Sequence, residues 1–142
     1  MSKTYGVGIA GFGTVGSGFL KQLKNFKTPS QKTANINVIK IAVKNLRKKS
    51  SLSVKSLPLT TDTMSLATND NVDILIELIG GSKGIAYNVV KKALQNKKHV
   101  ITANKALLAV HGNELSKIAE QNNVCLNYCL LYTSDAADDC WR

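Results

Sequence analysis

Apolar positions along the chain switch between a period of about two and a period of about 3.6. "TYGVGIAG" is a β-branched apolar run closed by glycines, and it predicts a buried strand. "VGSGFLKQLKNF" follows with Val15, Phe19, Leu20, Leu23 and Phe26 at helical spacing. "FKTPSQKT", with Pro29, predicts a loop, and "INVIKIAVKN" alternates as a second strand. The longest connection is the polar, irregular "LRKKSSLSVKSLPLTTD". "DTMSLATND" predicts a short helix capped by Thr61 or Asp62. "VDILIELIG" is almost continuously apolar, as a strand covered on both faces would be.

The second half repeats the alternation. "GIAYNVVKKALQNKK" predicts a helix with Ile85, Val89, Val90 and Leu94 on one side. "HVITAN" predicts a fourth strand, "KALLAVHGNELSKIAEQNN" a helix broken near Gly112, and "VCLNYCL" a fifth strand. Strands alternating with helices call for right-handed crossovers and a parallel, doubly wound α/β sheet. The 142 residues suit one domain, and no apolar run is long enough to span a bilayer.

"GIAGFGTVGSG" places Gly11, Gly13 and Gly16 in the G-x-G-x-x-G spacing. The spacing gains meaning because it follows the first strand and opens the first helix. Gly11 would permit the tight turn, Gly13 a close approach of backbone to a pyrophosphate, and Gly16 helix–strand packing. The helix start would offer its unpaired amides to the phosphates. The competing reading is a tight turn without a ligand. With the glycine loop the expected fold becomes a Rossmann-type dinucleotide-binding domain. An acid that would bond the ribose hydroxyls of NAD is missing after the second strand, where Lys44 and Asn45 stand. Lys44, Arg47, Lys48 and Lys49 could pair with a 2′-phosphate, so NADP is the expected cofactor, with NAD as the alternative; the rival is a cluster of surface lysines.

The net charge of +10 is spread over "KQLKNFK", "KNLRKK" and "VVKKALQNKKH". No aromatics interleave with these runs as a base-stacking surface would require, so solvated helix faces are expected and a nucleic-acid partner is not. The N-terminal stretch shows no apolar core with a cleavage site, and the three cysteines, Cys125, Cys129 and Cys140, have no metal-type spacing. A cytoplasmic protein with no metal, no membrane partner and a buried Cys125 is expected. His99 and His111 are expected to be structural or surface residues.

"VITANKALLA" places Asn104 and Lys105 at the C-terminal end of the fourth strand, where open α/β sheets bind ligands. A lysine at a helix start opposes the helix dipole, and an anionic ligand would offset that. The rival is an exposed lysine without a ligand. "GFGTVGSG", "VDILIELIGG" and "ITANKALLAVHG", in this order and at these intervals, resemble the homoserine dehydrogenase family over residues 4 to 128.

The resemblance implies oxidation of L-homoserine to L-aspartate 4-semialdehyde with NAD(P), or its reverse, in threonine, methionine and isoleucine biosynthesis. It implies cofactor contacts from Gly11, Phe12, Gly13, Thr14, Val15, Gly16, Lys44, Gly80, Gly81, Ala103, Asn104 and Lys105. Lys105 would lie between nicotinamide and substrate and take part in handling the hydroxyl proton, with Asn104 orienting Lys105 or the cofactor amide. The full-length enzyme would be a homo-oligomer. The family continues into an E-A-x-V-A-G-G-I-P-like segment and a substrate domain that do not follow here. The chain is therefore expected to hold the cofactor domain in residues 1–128 and to be inactive alone. The alternatives are the nucleotide-binding domain of another NAD(P)-dependent dehydrogenase and a non-catalytic nucleotide-sensing module.

Residues 129–142 abandon the pattern. "CLLYTSDAADD" looks like a translated adapter from transposon-based library preparation, since TGT CTC TTA TAC ACA TCT GAC GCT GCC GAC encodes Cys129 to Asp138. A read-through tail is expected, against the alternative of a natural acidic extension.

Overall fold

A computed structural model describes residues 3–25, 34–46 and 58–128, with backbone alone for 14, 15 and 23–25. The elements run β1 (Lys3–Ala10), α1 (Thr14–Asn25), β2 (Ala34–Ala42), β3 (Leu59–Thr60), α2 (Met64–Thr68), β4 (Ile74–Glu77), α3 (Ile85–Gln95), β5 (His99–Thr102), α4 (Lys105–Gln121) and β6 (Leu126–Tyr128). The expected loop at Pro29, the basic residues Arg47, Lys48 and Lys49, the helical position Phe26 and the tail at 129–142 lie outside the described residues.

All pairings are parallel, and the sheet order is β3-β2-β1-β4-β5-β6. The chain builds outward from β1 to one edge, then returns to build outward to the other. The order reverses between β1 and β4, and this is the switch point where an open α/β sheet leaves a crevice at its C-terminal edge. The doubly wound α/β fold read from the alternation is the one observed.

Strand side chains alternate between two cores because the pleat has a period of two. Val7, Ile9, Ile41 and Ile76 pack with Leu20 of α1 on one face. Ala10, Ala42, Leu75 and Val100 pack with α2, α3 and α4 on the other, through residues such as Leu66, Val90, Leu94, Leu107 and Leu115. Neighbours Leu75 and Ile76 thus serve opposite cores, which is why β4 reads as continuously apolar.

Several elements differ from their expected form. β3 is a sixth strand, joined to β2 by Ile41↔Leu59 and Ala42↔Thr60. Two residues carry no readable period. α4 runs unbroken through Gly112, because a helix anchored on the core by Leu107, Leu115 and Ala119 tolerates one glycine. Ile85 is exposed, and Ala86 and Ala93 join Val89, Val90 and Leu94 on the buried face of α3. Cys125 is exposed rather than buried, since it precedes the short edge strand β6. The N-cap of α2 is Thr63 rather than Thr61 or Asp62, and it makes no side-chain cap bond; one residue ahead of it, Asp62 Oδ1 accepts from Ser65 N at 3.3 Å.

The histidines are structural. His99 Nδ1 accepts from Cys125 N at 3.0 Å and so joins β5 to the approach of β6. His111 stacks on Tyr87 with ring centroids 4.2 Å apart. Beside them Glu114 Oε1 accepts from Tyr87 Oη at 2.8 Å and from Lys91 Nζ at 3.0 Å, clasping α3 to α4. The hydrogen bond from Lys91 lowers the Glu114 pKa, and the same bond raises that of Lys91.

Candidate functional site

The glycine loop leaves the C-terminal end of β1. Gly11 N donates to Ala42 O at 3.0 Å, fastening the loop beside the end of β2. Gly11 has φ +96, and a Cβ there would lie 3.0 Å from Leu78 C and Ile79 N. The turn and the close backbone approach both require glycine. At Gly13 a Cβ would meet nothing within 4 Å. The backbone there is open to solvent, and a side chain would fill the space through which a ligand reaches it. Gly16 differs in role from the expectation. Its Cβ would press on the Phe12 ring at 3.1 Å and Gly11 O at 3.2 Å, so it lets the first turn of the helix close on the loop rather than on a strand. Phe12 packs against the α1-side core and anchors the loop from below.

α1 begins directly at Thr14. Ser17 N donates to Gly13 O at 3.0 Å, which closes its first turn. The amides ahead of Ser17 have no acceptor inside the helix, and the first turn carries no acidic residue. An anion is the complement of such a helix start next to an open glycine backbone. Lys44 is exposed and lies two residues past the end of β2, on the same sheet edge.

Two further loops leave the same edge. After β4, Gly80 (φ +89) and Gly81 (φ +82) form a turn with open space around both α-carbons. After β5, Ala103 and Asn104 lead into α4. Asn104 is the N-cap: its Oδ1 accepts from Leu107 N at 3.1 Å. Its Nδ2 donates to Gly81 O at 2.6 Å and so joins this loop to the glycine turn. Ala103 N donates to Glu77 O at 3.4 Å. Lys105 is exposed at the first position of α4. Gly11, Gly13, Gly80, Gly81, Ala103 and Asn104 thus all lie on loops leaving the C-terminal edge of three adjacent strands, β1, β4 and β5, and Lys105 opens the helix that follows the last of these loops.

Sequence reasoning missed Glu77. It is fully buried at the end of β4. Its Oε1 accepts from Ile79 N at 2.7 Å and Gly80 N at 3.1 Å, and its Oε2 from Thr102 Oγ1 at 2.6 Å. Thr102 Oγ1 in turn accepts from Asn104 N at 3.1 Å. The available signal was a lone acid in a both-faces-buried strand just ahead of a Gly-Gly pair, because a buried carboxylate must have donors. Among the described residues no cluster of His, Cys, Asp and Glu could hold a metal ion, and no helix is long and apolar enough to cross a membrane.

Residues 11–128 match the family model described as homoserine dehydrogenase, NAD binding domain. Homoserine dehydrogenase of Pseudomonas aeruginosa is 39% identical over 128 residues, covering 89% of this chain and 29% of that protein. The Bacillus subtilis enzyme is 39% identical over 122 residues, covering 84% of this chain and 28% of its own length. A crystal structure of S. aureus homoserine dehydrogenase at pH 7.0 superposes with a TM-score of 0.83 at 37% identity, over 90% of this chain and 33% of that one. The homoserine dehydrogenase of Thiobacillus denitrificans superposes with 0.81 at 37% identity, over 90% and 30%. The chain therefore spans less than a third of the length of the curated relatives it matches.

Proposed function

The chain belongs to the homoserine dehydrogenase family, as its NAD-binding domain, and from that premise we propose that it is the NADP-preferring cofactor domain of an enzyme interconverting L-homoserine and L-aspartate 4-semialdehyde. The observation that carries the proposal is the convergence of the open Gly13 backbone, the Gly80–Gly81 turn and the Asn104–Lys105 helix start on one sheet edge. A bound nicotinamide supplies the hydride chemistry, and the protein supplies binding and orientation.

In this reading the backbone of Gly11, Phe12, Gly13, Thr14, Val15 and Gly16 holds the pyrophosphate, with the start of α1 facing its charge. Lys44 pairs with the ribose 2′-phosphate. Gly80, Gly81, Ala103 and Asn104 line the nicotinamide end. Asn104 acts mainly by ordering its surroundings, since one end of its side chain caps α4 and the other holds Gly81. Lys105, next in the chain, would stand at the substrate side of the cofactor and help the proton leave the substrate's hydroxyl oxygen, while the bound nicotinamide would accept the hydride from the carbon that bears it. Cofactor binding is the part of the reaction we assign to this chain, and turnover of homoserine belongs to the whole enzyme, of whose curated relatives the chain spans less than a third.

Titration of the chain with NADPH and NADH, followed by cofactor fluorescence, tests the assignment. NADPH is expected to bind more tightly, and Lys44→Asp to reverse the order by weakening NADPH about tenfold, the effect of losing a charge-assisted contact. Equal affinities in the parent chain would remove the role of Lys44. Failure to bind either dinucleotide would remove the function itself.

A further inference from the structure

The cofactor edge contains a closed ring of hydrogen bonds of which the assigned roles use only the one from Asn104 to Gly81. Oε1 of Glu77 accepts from Gly80 N. The next residue, Gly81, accepts at its carbonyl from Asn104 Nδ2. Asn104 N donates to Thr102 Oγ1, and Thr102 Oγ1 donates back to Oε2 of Glu77. Glu77 and Thr102 are both fully buried. We propose that Glu77 is the positioning residue of the cofactor site, locking the turn after β4 to the start of α4 so that Gly81 and Lys105 hold a fixed relation. The cofactor part of this rests on the dinucleotide-binding reading above.

Placement is the first argument. Burying a carboxylate costs several kcal/mol unless donors surround it, and an apolar side chain would fill a strand interior more cheaply. Glu77 stands at the last position of its strand, and its side chain bonds to no ladder group. All three donors lie on the segments that leave the edge or on the residue that begins one. The turn it holds is also the wall of the glycine loop, because Gly11 packs against Leu78 and Ile79. One carboxylate therefore reaches all three loops of the site.

Proton direction is the second argument. Thr102 Oγ1 already accepts from Asn104 N, so its own proton must find an acceptor, which Oε2 supplies. Oε1 meets two amide donors. Only an acceptor at both ends closes the ring. Glutamine has the same shape but one wrong end in either orientation. With its amide nitrogen toward Thr102 the hydroxyl faces two donors and its proton has no acceptor. With the nitrogen toward the turn, donors face the Ile79 and Gly80 amides.

Hydrogen exchange on the full 142-residue chain tests the lock without cofactor. Thr102→Val is expected to raise exchange at the Ile79 and Gly80 amides about tenfold, although neither amide bonds to Thr102. Thr102→Ser, which keeps the hydroxyl, is expected to restore protection. Unchanged exchange in Thr102→Val would show that the loops are independent and overturn the proposal. The second arm is NADPH titration. Glu77→Gln is expected to weaken binding about tenfold, the loss of a charged hydrogen bond, and Thr102→Ser to bind close to the parent chain. Binding by Glu77→Gln within twofold of the parent would overturn the positioning role. A parent chain that binds no dinucleotide would overturn the functional reading, while the exchange data would still decide the lock. Should Glu77→Gln fail to fold, the two Thr102 variants decide by both measurements.

Discussion

The two edges of the sheet are both closed by buried polar side chains, and they are closed differently. At the N-terminal edge each group spans one gap. Lys98 Nζ, almost fully buried, donates to Asn69 O at 2.7 Å and Val72 O at 2.8 Å. Asp73 Oδ2 accepts from Gly6 N at 2.8 Å, and His99 Nδ1 accepts from Cys125 N. None of these side chains bonds another side chain; they meet main-chain groups of a backbone that is itself linked, Asp73 N donating to Gly6 O at 2.8 Å and His99 N to Asp73 O at 2.9 Å, and packed tight: a Cβ on Gly6 would sit 1.8 Å from Asn71 O. At the C-terminal edge Glu77, Thr102 and Asn104 form one connected ring, while Gly13, Gly80 and Gly81 face open space. Side-chain contacts to a dense, mutually bonded backbone secure the fold. A side-chain network beside open backbone fixes the loops while leaving their main chain accessible, which is what the proposed cofactor site requires.

The contrast breaks first, and with the largest effect, at Gly6. Gly6→Ala forces its new methyl into a backbone carbonyl and against Ile39, which lies 2.9 Å from the same point. The segment before β4 must then move away from β1, and the Asp73 contact moves with it. A loss on the order of 3 kcal/mol is expected, a drop in Tm of about 10 °C. Because the damage lies at the far edge, the folded fraction should bind NADPH with the parent affinity. A scan of Tm with and without cofactor checks both statements. Weakened binding in the folded fraction would show that the two edges are not independent.

Gly13→Val reverses the pattern. A Cβ there meets nothing within 4 Å among the described residues, and the backbone is not in the left-handed region, so Tm should change by less than the equivalent of about 1 kcal/mol. The added side chain occupies the approach to the loop, and NADPH affinity should fall at least about tenfold. Thermal unfolding and cofactor titration on the same sample separate the effects. A large loss of stability with normal binding would assign Gly13 to the scaffold instead.

Legibility in the sequence followed the same division. Strands and helices that cross the core could be read because burial imposes a period on them, and the glycine loop because its spacing directly follows a strand. β3 could not, since Leu59–Thr60 is too short to show alternation. The continuity of α4 depends on Leu107, Leu115 and Ala119 packing on the sheet, which a local reading of Gly112 does not see. Asn104 and Lys105 were visible as residues at a strand's end, but the bond from Asn104 to Gly81 joins positions 23 apart. Glu77 was hidden for a related reason. Its donors come from the next turn and from a residue 25 positions away, so in sequence it only interrupts an apolar run.

The smallest effect expected here sharpens the comparison from the scaffold side. α3 and α4 end on the same motif. After α3, Lys97 N donates to Leu94 O and Lys98 N to Ala93 O; after α4, Asn123 N donates to Glu120 O and Val124 N to Ala119 O. Each pair satisfies the last carbonyls of its helix and needs one residue at positive φ, here Lys97 at 60° and Asn123 at 55°. Asparagine visits that region readily, whereas lysine carries the steric penalty of its Cβ against the carbonyl. Lys97 is exposed, and it directly precedes the buried Lys98. Lys97→Gly removes the penalty without touching a core contact, and the greater freedom of glycine in the unfolded chain returns part of the gain. A net stabilisation of about 0.5 kcal/mol is expected, a rise in Tm of about 2 °C, with NADPH affinity unchanged because the N-terminal edge does not face the ligand. Asn123→Gly should gain less, since asparagine already tolerates the conformation. A fall in Tm for Lys97→Gly, or a larger gain at Asn123 than at Lys97, would show that strain at this turn is not what limits the stability of the closed edge.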